Sequence, residues 1–168
     1  MTACLAILRR QVRAVALGLL AMAAAAPAGA AGSASCVLST TPLVFGQYVP
    51  SRNVPSDFTA TLNLTCVASG TTSATFQGTI GLIGSGEPGG RDLADGRHRL
   101  RYQLFVDPAR TILWGDGSGD TRTLPTSGTV GPTAPMRQTF TIYGRILARQ
   151  TDAAVGNYRD QITAVLNY

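Results

Sequence analysis

The chain has 168 residues, of which 45% are hydrophobic, 7% aromatic and 14% charged, enough for one ordinary domain and too few for two. Its 14 Lys+Arg residues are all arginine, and Arg9, Arg10 and Arg13 crowd the first thirteen positions. The remaining 11 arginines face 9 Asp+Glu, an excess of only +2. That is a poor footprint for nucleic acid, whose binding rests on clustered cations and counterion release.

Behind those three arginines, Ala14 to Ala26 is a run of thirteen residues without a polar side chain. This length fits the apolar core of a secretory signal and is short for a membrane span. Pro27-Ala28-Gly29-Ala30 then breaks the helix and supplies small residues for signal peptidase. The expected division is a signal peptide over 1–30, cleaved after Ala30, and one exported domain over 31–168 with no membrane span. An uncleaved N-terminal anchor is the alternative. Cys4 leaves with the signal, so Cys36 and Cys66 remain as an even pair in an oxidising compartment, and a disulfide between them is predicted. Without a CxxC, and with His98 the lone histidine, a zinc site is not supported.

Period-two alternation recurs along the rest of the chain, and no long 3.6-residue period appears. Val37 to Tyr48 is a short strand candidate. In Phe58, Ala60, Leu62, Leu64 and Cys66 the even positions are apolar, which points Cys66 inward. Ala74 to Ile83 follows. Leu100, Tyr102, Leu104 and Val106 alternate with Arg97, Arg99, Arg101 and Gln103, and Thr111 to Trp114 is another short candidate. Two late patterns are Phe140-Ile142-Gly144-Ile146 and Ile162-Ala164-Leu166-Tyr168. Turn-rich segments separate them: Val49 to Ser56, Gly84 to Gly90, Gly115 to Asp120 and Pro125 to Pro135. About seven strands without helices predict an all-β fold, an immunoglobulin-like β-sandwich.

Few residues suggest chemistry. Gly84-Ser85-Gly86-Glu87-Pro88-Gly89 matches a dinucleotide fingerprint in letters only, because Pro88-Gly89-Gly90 forbids the helix that would bind pyrophosphate. Asp116-Gly117-Ser118-Gly119-Asp120 alternates oxygen ligands like a calcium loop, but Ser127 stands where the bidentate Glu belongs, so it reads as a solvated turn. A serine hydrolase would need His98 as base, and His98 sits among Arg97, Arg99 and Arg101 with no GxSxG elbow in the chain. No catalytic, cofactor or metal residues are assigned, and an enzyme is not expected. Arg97, Arg99 and Arg101 read as a basic stripe on one strand face, either a solvated outer face or a contact for an acidic surface or neighbouring subunit. Trp114 is a core anchor or an exposed binding aromatic. Asn63-Leu64-Thr65 is a formal glycosylation sequon placed mid-strand.

Cys36-Val37-Leu38-Ser39-Thr40-Thr41-Pro42-Leu43-Val44-Phe45-Gly46-Gln47-Tyr48 resembles the opening of the spore coat protein U family, which includes subunits of archaic chaperone-usher pili in Gram-negative bacteria. The likeness continues through Leu62–Cys66, Leu100–Phe105, Trp114–Gly117, Tyr143–Ile146 and Gly156–Asp160 to Val165-Leu166-Asn167-Tyr168. It implies a sandwich whose final strand is missing and is supplied in trans, by a periplasmic chaperone and then by a neighbouring subunit delivered through an outer-membrane usher. It brings no catalytic residues and no cofactor. On this reading the alternating Ile162, Ala164, Leu166 and Tyr168 line the groove for the donated strand. The five residues Ala31 to Ser35 ahead of Cys36 span at most about 17 Å and carry no large apolar side chain. A fibre-forming subunit has a donor segment there, so a capping place, at the tip, is expected. The rival readings are a stand-alone secreted β-sandwich binding module and, more remotely, a secreted hydrolase.

Overall fold

The computed structural model describes residues 32–83 and 90–168. The segment expected to be a signal peptide, residues 1–30, and most of the turn expected over Gly84 to Gly90 lie outside the described residues. Among the described residues there are ten strands and no helix. They are β1 (Ser33–Thr40), β2 (Ser56–Ser69), β3 (Ala74–Ile83), β4 (Arg91–Asp95), β5 (His98–Phe105), β6 (Leu113–Trp114), β7 (Thr121–Arg122), β8 (Leu124–Val130), β9 (Met136–Ile146) and β10 (Thr163–Asn167). A large sheet runs β1-β2-β9-β5-β6-β7, with β4 also paired to β5, and a small sheet runs β10-β3-β8. The two pack face to face as an open, immunoglobulin-like sandwich, as the alternation predicts.

The alternation sets which side chains fill the core. Along β2, Leu62, Leu64 and Cys66 are fully buried, while Thr59, Thr65 and Val67 turn outward or stay part-exposed. Leu100, Tyr102 and Leu104 on β5 and Ile142 and Ile146 on β9 complete the inner face of the large sheet. Ile80 and Leu82 on β3 and Leu124 on β8 face them from the small sheet. A second cluster of Leu64, Cys66, Ala74, Phe76 and Val130 closes the other end. The antiparallel register places Cys36 directly opposite Cys66, and they form the expected disulfide, with Cα atoms 4.1 Å apart.

Several boundaries differ from the sequence reading. The first strand is Ser33–Thr40 rather than Val37–Tyr48: Ser33 and Ser35 pair with Ser69 and Val67, and the chain leaves the ladder before Pro42. The turn-rich stretch from Pro125 is largely a strand, β8, because an edge position tolerates a proline that cannot donate to a ladder. The short β4 hid behind its polar composition. Arg97 does not lie on a strand face: Gly96 and Arg97 make the two-residue turn between β4 and β5, with Gly96 at φ 56°.

Candidate functional site

The last strand and the first do not meet. Strand β10 is one end of the small sheet and β1 is one end of the large sheet. Between them lies a cavity of about 520 Å³. Its two rims are Leu38 to Phe45 on one side and Asp160 to Ala164 on the other, and its floor is Leu62, Leu82, Leu104, Trp114 and Ile142. At one end the gap is pinched shut, where the Cys36 N–H donates to the Tyr168 hydroxyl at 3.4 Å and the Tyr168 ring meets Phe76 edge-on.

The rims owe their shape to local contacts. After β1 the chain is pinned by Thr41, whose N–H donates to the Thr61 carbonyl and whose hydroxyl accepts from the Thr61 N–H. It then lays Leu43 and Phe45 over Gly144, where a Cβ would come within 2.6 Å of Leu43. Phe45 packs edge-on against both Phe58 and Tyr102. The opposite rim is clipped to β4 before it crosses to the small sheet. Arg159 and Ala94 exchange both backbone hydrogen bonds, at 2.8 and 2.9 Å, and the Asn157 N–H donates to the Asp95 carboxylate.

The polar groups of the groove are few. The Trp114 Nε1–H donates to the Ile80 carbonyl at 3.1 Å, so Trp114 is a core anchor that also floors the cavity. The Tyr102 hydroxyl donates to Asp160 at 2.5 Å. Burial, joined by the Asp160 carboxylate, pushes the Tyr102 phenol well above the ordinary tyrosine range, so it stays a neutral donor. The floor is otherwise apolar, and the rims add the small or polar side chains of Thr40, Thr41, Thr61, Gln161 and Thr163.

Other sheet edges are sealed by side chains or by a neighbouring segment. On β5, the Gln150 side chain takes the place of a strand: Arg101 N–H donates to its Oε1 at 2.6 Å and its Nε2 donates to the Arg101 carbonyl at 2.8 Å. On β8, Pro125 offers no N–H, Gln138 Nε2 donates to the Ser127 carbonyl, and the Thr126 hydroxyl bonds Gln138 Oε1. Strand β4 is covered by Arg159, and β7 has two residues, too few to template a partner. Among the described residues, the edges of β1 and β10 that face the groove carry no such plug apart from the single Tyr168 hydroxyl.

The residues singled out in the sequence sort accordingly. Ile162, Ala164 and Leu166 pack half-buried against the core, with Ile162 and Ala164 lining the cavity, while Tyr168 is largely exposed at its closed end. Arg99 and Arg101 are exposed on the outer face of β5. His98 faces Asp95 across the β4–β5 hairpin. Asp116 is a turn residue whose carboxylate accepts from the Ser118 hydroxyl and N–H, which holds it below the usual carboxylate range. Asn63 accepts from the Thr139 hydroxyl on the outer face. Among the described residues no group of three or more His, Cys, Asp or Glu is placed to hold a metal ion, and no helix is long and apolar enough to cross a membrane.

A family model, the Spore Coat Protein U domain, matches residues 22–165. The chain belongs to this family. Curated proteins yield no match. Spore coat protein U domains form a structural family of pilus and fimbria type, associated with surface appendages rather than catalysis. Of the four C-terminal residues singled out in the sequence, Ile162 and Ala164 line this cavity, and the facing residues Leu38, Leu43 and Phe45 were not singled out. The one available signal was that Leu43 and Phe45 alternate with exposed Pro42 and Val44 after the ladder ends.

Proposed function

We propose that this chain is an exported structural subunit of a chaperone-usher surface appendage, assembled by accepting a strand into the groove between β1 and β10. The observation that carries the reading is the selective sealing of edges. Gln150, Gln138, Pro125 and Arg159 plug or cover the β5, β8 and β4 edges, whereas among the described residues the two edges bordering a 520 Å³ cavity with an apolar floor stay open. An open edge beside apolar surface is a liability for a free monomer. Strand addition resolves it, through main-chain hydrogen bonds and pockets for alternate side chains. A periplasmic chaperone fills the groove first, and a neighbouring subunit brought by the usher fills it in the fibre. Residues 1–30 act as the cleaved export signal.

With cleavage near Ala30, the residues ahead of Cys36 are already committed, since Ser33 to Ser35 belong to β1. The subunit then accepts a strand without offering one, and its contacts cannot propagate. It caps a fibre at the tip. The test is co-purification of a periplasmic chaperone with this chain. Leu166 packs half-buried against both core clusters, so Leu166→Asp places an unpaired carboxylate beneath β10, beside the groove, and should abolish the complex. Undiminished co-purification of that variant, or a wild-type chain that is stable, monomeric and indifferent to any chaperone, would instead support a stand-alone module.

A further inference from the structure

Outside the groove, on the outer face of the large sheet, the β4–β5 hairpin carries an organised set of cations. Leu93 and Leu100 are cross-strand partners and both are buried, so their neighbours Asp92, Ala94, Arg99 and Arg101 point the other way, to solvent. Ala94 pairs with Arg99 on one side and, through the isolated bridge, with Arg159 on the other. Directly opposed residues of antiparallel strands share a face. Arg159, Ala94 and Arg99 therefore form one row, the two arginine Cα atoms about 10 Å apart with only a methyl group between them. Arg101 stands about 7 Å further along β5 from Arg99.

These arginines are not consumed by the fold. Elsewhere on the same sheet Arg145 is locked bidentately to Asp57, at 2.7 and 2.8 Å. By contrast the Arg101 and Arg159 side chains have no hydrogen-bond or ion-pair partner among the described residues. Arg99 uses one nitrogen on the carbonyls of Gly96 and His98, which orients the rest of its guanidinium. The nearby acids are occupied or insufficient. Asp95 accepts the Asn157 N–H, Asp160 is taken by Tyr102, and Asp92, opposite Arg101, makes no ion pair. The scaffold beneath is fixed, because Gln150 clamps Arg101 and is itself held by the Tyr48 hydroxyl, which accepts the Gln150 N–H at 3.0 Å. Arg149, the residue before Gln150, adopts a left-handed backbone (φ 58°) and donates its N–H to the Arg52 carbonyl. That brings two more exposed arginines to the border of the patch, and such strain is maintained only where the surroundings enforce it.

We infer that the row Arg159–Ala94–Arg99 with Arg101 is a binding surface for an anionic polysaccharide, whose repeating carboxylate or sulfate groups pair with the guanidinium forks. Planar guanidinium suits such groups bidentately. The arginines stand in an open row rather than around an enclosed anion, which fits an extended polymer laid across the hairpin, with a sugar edge over Ala94. Nucleic acid is the poorer occupant, because the chain's charge excess is small and the outer-face ring of Tyr143 is already covered by the Arg110 guanidinium.

The test uses the full exported protein, together with whatever chain occupies its groove, on immobilised polygalacturonate, heparin, neutral dextran and duplex DNA at one ionic strength. Polygalacturonate and heparin should retain it, dextran should not, and the affinity should fall as salt rises. Arg101→Gln with Arg159→Gln should weaken retention about tenfold or more. Arg137→Gln, a change far along β9 where the side chain bonds Thr65, should leave it unchanged. Circular dichroism and the intact Cys36–Cys66 bond certify the fold of each variant. Unchanged affinity in the double variant, equal retention on dextran, or tighter binding to duplex DNA would overturn the assignment.

Discussion

Removing the disulfide is expected to shift stability by an amount that follows from its place in the chain. Cys36 and Cys66 are 30 residues apart, and closing a loop of that length restricts the unfolded chain by about 3.6 kcal/mol in the entropy model. That is a large share of the ~5–15 kcal/mol that holds a typical domain together. The effect is local as well, because β1 is an edge strand whose ladder partner is β2 alone, and it forms one wall of the groove. The clean perturbation is Cys36→Ala with Cys66→Ala, since a lone Cys66→Ser would add a hydroxyl at a fully buried position. With a urea dependence of about 1–3 kcal/mol per molar, the midpoint should fall by about 1–4 M at constant slope. Amide exchange in Ser33–Thr40 should rise before that of β2 or β9. A midpoint shift below about 0.5 M with the slope unchanged would refute the loop-entropy reasoning. Uniform loss of protection across both sheets would refute the local part.

Gly78→Ala should detach the C-terminal strand, because the new Cβ would lie 2.4 Å from the Asn167 carbonyl oxygen, a backbone atom that cannot swing aside; loss of amide protection in Thr163–Asn167 together with lost chaperone binding is the expected readout. Gln150→Ala should unseal β5, leaving the Arg101 N–H without its side-chain partner while its carbonyl keeps the Leu147 N–H, and should cost about 0.5–1.5 kcal/mol while increasing light scattering during refolding. The Tyr102 pKa is raised in the folded protein, so the stabilisation linked to its neutral form is present below the unfolded value near 10 and is lost as pH rises through the folded value. Phenolate absorbance should accordingly show a late step well above pH 10, coincident with loss of structure and absent in Tyr102→Phe.

Much of the large sheet was readable because single strands carry their own signal. The even-phase Phe58 to Cys66 run and the Leu100-Tyr102-Leu104 run each state which face is buried. Ala74–Ile83 was legible to the residue. What escaped depends on neighbours rather than on the segment. Strand β4 has one apolar residue facing the core, Leu93, alongside a buried Arg91 only 6% exposed, so nothing in Arg91–Asp95 announces a strand until β5 is placed beside it. Pro125 and Gly128 argue for a turn, and β8 forms anyway because it lies at an edge and because Gly128 leaves room for Met136. The plugging glutamines were invisible for the same reason: Gln138 and Gln150 are ordinary polar residues until a particular ladder leaves an N–H and a carbonyl facing them. The cavity's first wall was hidden because it continues past the end of β1 into a non-strand segment, Thr41 to Phe45, folded over Gly144.

The two uncovered edges face the same cavity, and this has a kinetic meaning. On the proposed assembly a single incoming strand would silence both at once, so the hazard of the free chain would be counted in vacant grooves rather than in exposed residues. Self-association of vacant subunits is then second order in their concentration, whereas capture by a partner in excess is effectively first order. The yield of usable protein should therefore track the ratio of partner to chain, rising until the two are equal and flat thereafter, and a burst of synthesis should do more harm than the same amount made slowly.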